Sequence, residues 1–169
     1  VGTLVKAKGH TELFQAFQQI ASKHINTRLM LVGGGHLSEL ESAIAESGLS
    51  DRILLTGWRN DASACMNAMD IFVQPSLSEA FSQVLIESMA VGLPVIATNV
   101  GGAEEVITSG YNGIIVSPDS VDDLTFEIDR LINDSTSRNS MGEIAIHSVR
   151  QRFSADKAVK AHIDIYTRL

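Results

Sequence analysis

Cys65 is the single cysteine of this 169-residue chain, which excludes an internal disulfide and fits a reducing compartment. Its expected place is that of a small apolar side chain beside a helix. Positive charge is also scarce: 13 Lys and Arg stand against 20 Asp and Glu, for a formal charge of −7. Nucleic-acid binding draws on clustered basic residues, and an anionic membrane surface asks for the same, so neither partner is expected. No apolar run reaches the roughly 18 residues of a membrane-spanning helix, and no stretch reads as a signal peptide. A cytoplasmic location follows as the expectation. The five histidines, His10, His24, His36, His147 and His162, have no paired metal-ligand spacing, and no metal or cofactor is expected. A G-x-S-x-G nucleophile elbow is absent too. Gly33-Gly34-Gly35 begins a G-x-G-x-x-G pattern, but Ser38 takes the third glycine position and the later acidic residue is missing. A dinucleotide oxidoreductase therefore ranks last.

What is present is a repeating alternation. Short apolar runs bounded by turn residues predict strands at Val1–Val5, Thr27–Val32, Arg52–Thr56, Asp70–Gln74, Pro94–Thr98 and Gly113–Ser117. Their apolar residues are consecutive rather than alternate, as in parallel strands covered on both faces. Between them, Leu13, Phe17, Ile20 and Ala21 form a stripe at helical spacing. Leu37, Leu40, Ile44 and Leu49 form another, stopped at Gly48. Further helices are expected at Ala64–Met69, from Phe81 to Gly92 with Pro94 beyond, and briefly at Ala103–Ile107. Ser120 is a predicted N-cap with Asp122 and Asp123 in the first turn, and two closing helices are expected at about Arg138–Arg152 and Ala155–Arg168. The fold class is α/β: one Rossmann-like, doubly wound parallel sheet of about six strands. The length suits one domain. Val1 has no methionine before it and already reads as strand, so residues 1–169 are expected to be a domain excised from a longer protein.

In such sheets, ligands bind beyond the carboxyl ends of the strands. The loops at 6–10, 33–36, 57–61, 75–82 and 98–102 are therefore expected to share one rim. Gly33 and Gly35 would form a close wall of the cleft there, and Lys8 lies where it could meet a phosphate near a helix start. Glu79 and Glu87 bracket a helix entrance. Eight residues of helix span roughly 12 Å, which suits two parts of a long ligand better than two sides of one bond. Taken singly, each of these residues is better explained as surface charge or a tight turn.

In order, Val1-Gly2-Thr3-Leu4 with Lys8-Gly9-His10, Leu31-Val32-Gly33-Gly34-Gly35, Thr56-Gly57-Trp58, Pro75-Ser76 with Glu79 and Glu87, Gly92-Leu93-Pro94-Val95 and Gly101-Gly102 resemble one family. It is the C-terminal half of group 1, or family 4, retaining glycosyltransferases of GT-B fold. The resemblance covers nearly the whole chain. It implies a nucleotide-sugar donor site in residues 1–169, facing an acceptor domain that lies outside this sequence. It implies Lys8 on the donor diphosphate, Glu79 on donor-sugar hydroxyls and Glu87 on the ribose. The segment Ala80-Phe81-Ser82 would present backbone amides to phosphate, and Trp58 and Arg59 would flank the base. Arg59 by itself reads as surface charge, Trp58 as a partly covered aromatic and Phe81 as packing.

Lys8 and Glu79 are the residues expected to act in transfer, which the resemblance implies is metal-independent. The donor would be a UDP-sugar and the acceptor a hydroxyl of a polysaccharide or glycolipid. Any contact with the inner face of a membrane would belong to the other domain. Two features depart from the family pattern. Thr3 stands where arginine is usual, and Ala80 and Ser82 replace glycines after the first glutamate. These changes leave open a non-catalytic nucleotide-sugar-binding module, and an epimerase of GT-B type is the other alternative.

Overall fold

The computed structural model describes residues 1–167. Along them run α1 (His10–Lys23), β1 (Leu29–Leu31), α2 (Ser38–Glu46), β2 (Ile53–Leu55), α3 (Ala62–Asn67) and β3 (Phe72–Gln74). Then follow α4 (Gln83–Ala90), β4 (Val95–Thr98), α5 (Ala103–Val106), β5 (Ile114–Val116), α6 (Val121–Asn133), α7 (Ser135–Arg152) and α8 (Ala155–Tyr166). Every strand pairing is parallel: β1 with β2, and β3 with β4 with β5. Parallel neighbours joined through helices are what the strand-helix alternation dictates. The α/β, Rossmann-like class holds. The strand count does not: five strands stand in two sheets rather than six in one.

The difference lies at the chain's start. Residues 1–5, expected as a full strand, make only a parallel bridge from Leu4 to Gly35. Gly2 N–H donates to the Val32 carbonyl and Leu4 N–H to that of Gly34. Gly2, Gly33 and Gly35 all have positive φ, at 146°, 149° and 110°, so a regular pleat cannot run through this pair. The approach is also too close for side chains, since a Cβ on Gly33 would lie 1.9 Å from the Gly2 carbonyl oxygen.

The core forms on both faces of the sheets. Along β4, Ile96 joins the buried cluster built from α1, α2 and α6, whereas Val95 and Ala97 join one built from α4, α5 and α7. Side chains of a strand alternate between faces, so this division follows from strand geometry and needs apolar residues at every position. Leu13, Phe17, Ile20 and Ala21 are all buried on α1, as their spacing predicts. Ser120 caps α6 by accepting from Asp123 N–H, and the helices at Ser82, Asp134 and Ser154 begin with caps of the same kind. Arg52 fixes the chain between α1 and β1. Its guanidinium donates to the carbonyls of Ala21, His24 and Thr27 and lies 5.6 Å from the Phe17 ring centre. The predicted α8 end, Arg168, lies outside the described residues, and α7 starts three residues earlier than expected. Among the described residues, no helix is long and apolar enough to cross a membrane.

Candidate functional site

The loops that follow the strands meet along one edge, as expected. Gly33 N–H donates to the Gly57 carbonyl, and a Cβ on Gly34 would touch Trp58. Gly9 adopts φ 66° against Pro75, where a Cβ would fall 1.8 Å from the Pro75 carbonyl oxygen. Leu77 N–H donates to the Ala7 carbonyl, tying the 5–9 loop to the 75–79 loop. Gly101, at φ 55°, packs against the Glu79 and Ala80 carbonyls, and Gly102 N–H donates to that of Ala80. Only glycine at 9 and 101 lets these backbones approach so closely.

Lys8 and Glu79 occupy the middle of this edge as an ion pair, with Nζ 2.5 Å from Oε1. The same carboxylate oxygen accepts from Ser76 Oγ at 3.0 Å and faces Gln74 Nε2 at 3.5 Å. Gln74 and Ser76 are buried, and both are held in turn. Ser82 Oγ donates to Gln74 Oε1 at 2.6 Å, and Thr98 Oγ1 donates to the Ser76 carbonyl. Glu79 is thus fixed at one oxygen by a cation and a hydroxyl, and its Oε2 has no partner among the described residues. The N–H groups of Ala80, Phe81 and Ser82 likewise have no acceptor among them. A cation, unpaired amides and a carboxylate side by side can take a ligand carrying both anionic oxygens and hydroxyls.

Several expected details come out differently. Glu79 is not on the helix: α4 begins at Gln83 with Ser82 as its cap. The 12 Å helical separation from Glu87 therefore does not apply, and Glu87 is exposed on α4. The Gly33 amide is taken by Gly57 and cannot meet an anion in this conformation, and α2 starts at Ser38 rather than directly after the glycines. Ser82 Oγ is spent on Gln74 and the helix cap, so it is not available to a ligand without releasing both. Arg59 is paired twice with Asp61, at 2.7 and 2.6 Å, and that neighbour holds the Asp61 carboxyl below its ordinary range. Trp58 is 76% exposed beside Gly34, an uncovered ring rather than a packed one. Phe81 is half-exposed, lying over Gly102 and 6.2 Å from the Phe153 ring. Thr3 is exposed, with its methyl beside Gly35.

His10 stands behind Lys8 at the start of α1. Burial pushes its imidazole down to about 4, with the positive charge of Lys8 adding to the effect. Its Nδ1 is buried without a partner among the described residues. Ser76 entered the sequence reading only within the Pro75-Ser76 motif and Gln74 only as a strand end, and neither was read as a partner of Glu79. The available signal was two polar residues, Gln74 and Ser76, around Pro75 at the end of an otherwise apolar strand.

Comparisons with known proteins converge on one family. A family model described as glycosyl transferases group 1 matches residues 1–148. A capsular polysaccharide biosynthesis glycosyltransferase of Staphylococcus aureus, CapM, is 35% identical over 92% of this chain and 41% of its own length. A lipopolysaccharide core biosynthesis glycosyltransferase of Rhizobium meliloti, LpsD, is 32% identical over 99% of the chain and 48% of its own length. The chain therefore spans less than half of these relatives. Among solved structures, HepE of Anabaena in complex with UDP superposes with a TM-score of 0.92 at 28% identity, covering 99% of this chain and 48% of HepE. The C-terminal domain of a group 1 family glycosyl transferase of Francisella tularensis, LpcC, gives 0.83 at 26% identity, covering 92% and 84%.

Proposed function

The chain belongs to the group 1 glycosyl transferases, and on that premise we propose that residues 1–169 are the donor-binding half of a retaining, GT-B glycosyltransferase. The observation that carries the reading is the Lys8–Glu79 pair beside the unpaired amides of residues 80–82. Lys8 and those amides bind the donor diphosphate, and Glu79 accepts from hydroxyls of the donor sugar. Glu87 and the Trp58–Arg59 loop contact ribose and base, with Gly33 and Gly35 as the near wall and Thr3 at the diphosphate end. The donor is a UDP-sugar, which the UDP and UDP-glucose complexes of HepE support.

In the whole protein, a second domain supplies the acceptor hydroxyl. The bond from the sugar's anomeric carbon to the diphosphate breaks, a bond to the acceptor oxygen forms, and the acceptor proton passes to an oxygen of the departing diphosphate. Lys8 and the amides stabilise the charge gathering on the departing nucleoside diphosphate, an electrostatic contribution that grows toward the transition state. No metal is assigned to this step. The acceptor class is a polysaccharide or glycolipid, and the location is the cytoplasm, with any membrane contact made through the other domain. Titration calorimetry with UDP-glucose, UDP, GDP and ADP tests the donor assignment. Uridine nucleotides are expected to bind, with GDP and ADP weaker. Equal affinity for all three nucleotides, or binding of glucose without nucleotide, would overturn it.

A further inference from the structure

The two carboxylate oxygens of Glu79 stand in different surroundings. Three donors converge on Oε1: Lys8 Nζ at 2.5 Å, Ser76 Oγ at 3.0 Å and Gln74 Nε2 at 3.5 Å. The first two are full hydrogen bonds. The Gln74 amide waits just outside the usual range of about 2.7–3.2 Å. Oε2 has no partner among the described residues.

Gln74 ends β3 and is buried, so its side chain has few alternatives. Its amide has one favoured orientation. Ser82 Oγ accepts from Leu85 N–H as the cap of α4 and donates its single proton to Gln74 Oε1 at 2.6 Å. Turning the amide over would set its oxygen against the Glu79 carboxylate and leave the Ser82 proton without its acceptor. Ser82 therefore aims Nε2 at Glu79. It does so from one of the positions where this chain departs from the glycines of the family pattern.

A diphosphate that draws Lys8 away leaves Glu79 Oε1 with Ser76 alone. The Glu79 side chain is 14% exposed, so water replaces the lost ammonium poorly, and an under-paired charge there is costly. We propose that Gln74, aimed by Ser82, is a positioning residue that closes on Glu79 Oε1 as Lys8 leaves it. The closure takes about 0.6 Å within one buried side chain. It keeps the carboxylate in place while its cation serves the diphosphate, and it leaves Oε2 free for hydroxyls of the donor sugar. The inference rests on the donor reading for what draws Lys8 away, and on the contacts of this cluster for the rest.

The test follows the side-chain amide protons of Gln74 by NMR in the parent and in Lys8→Met, which removes the ammonium without any ligand. In Lys8→Met, one of the two protons is expected to move downfield as it enters a charge-assisted bond, and to stay at its parent position when Glu79→Ala is added. Addition of UDP to the parent is expected to reproduce the shift. By calorimetry, Gln74→Met is expected to weaken UDP about tenfold in the parent and by less than about twofold once Glu79→Gln has removed the charge. An unmoved Gln74 amide in Lys8→Met would overturn the proposal. So would an equal loss of UDP affinity in both backgrounds, since packing alone would then account for Gln74. A shift in Lys8→Met that UDP fails to reproduce would uphold the Gln74 closure and overturn the donor reading instead.

Discussion

Lys8→Ala and Glu79→Gln are expected to move UDP affinity in opposite directions. In the free site, Lys8 Nζ is bound to Glu79 Oε1, so a diphosphate must take the ammonium from the carboxylate. The Lys8 side chain is 33% exposed and that of Glu79 14%, which puts the pair near the weaker end of ion-pair strengths, up to about 1 kcal/mol. Neutralising Glu79 removes that competition. Its amide oxygen still accepts from Ser76, so the loop keeps its shape, and UDP binds up to about fivefold tighter. Removing Lys8 deletes a charge-assisted bond of roughly 1.5–3 kcal/mol and leaves a carboxylate facing the diphosphate, so UDP weakens about tenfold to a hundredfold. UDP-glucose separates the two roles further. Glu79→Gln loses its advantage there, because the carboxylate oxygens that would receive sugar hydroxyls are gone. Calorimetry of both variants with both ligands reads all four values. If Lys8→Ala stays within twofold of the parent for UDP, or Glu79→Gln weakens UDP as much as Lys8→Ala does, the division of roles is wrong.

The depressed His10 makes the fold acid-sensitive. Between its ordinary 6.5 and about 4, the unfolded chain takes up a proton that the folded chain refuses, so stability present above pH 6.5 drains away as pH falls. The gap corresponds to roughly 3 kcal/mol, and urea unfolding at pH 7 and pH 4.5 should show His10→Gln losing less than the parent. Gly101→Ala forces a Cβ to 2.5 Å from the Glu79 carbonyl oxygen at a left-handed φ of 55°. It is expected to cost about 2 kcal/mol, a midpoint drop of about 4–8 °C by calorimetry, and to weaken UDP-glucose more than UDP. Donor binding by the chain is expected to be unchanged by EDTA. A loss restored by a divalent cation would assign the diphosphate a metal partner.

Much of this molecule can be read without coordinates, for reasons specific to each element. The α1 stripe is legible because one helix face meets one core, and the cap at Ser120 is local geometry. β4 is legible because burial on both faces demands apolar residues at every position. Residues 1–5 misled because their pattern is that of a strand, while two of the three glycines that break the pairing sit some 30 positions away, at 33 and 35. Lys8 and Glu79 stood out by their positions and took their roles from a resemblance, and their contact depends on Gly9 fitting against Pro75, which no local pattern announces. The hold of Gln74 and Ser76 on Glu79 was not read, because a polar residue at a strand end is usually just the turn that follows. Arg52 gave no signal: its three carbonyl partners come from the end of α1 and the loop after it, brought together only by folding.

The most direct test of the donor assignment is an amide NMR titration of the chain with UDP, GDP and ADP. The account predicts that UDP shifts Lys8 and the amides of Ala80, Phe81 and Ser82 first, with Trp58 and Arg59 responding to the base. Uridine-dependent shifts elsewhere, with these residues silent, would contradict it. So would silence toward all three nucleotides.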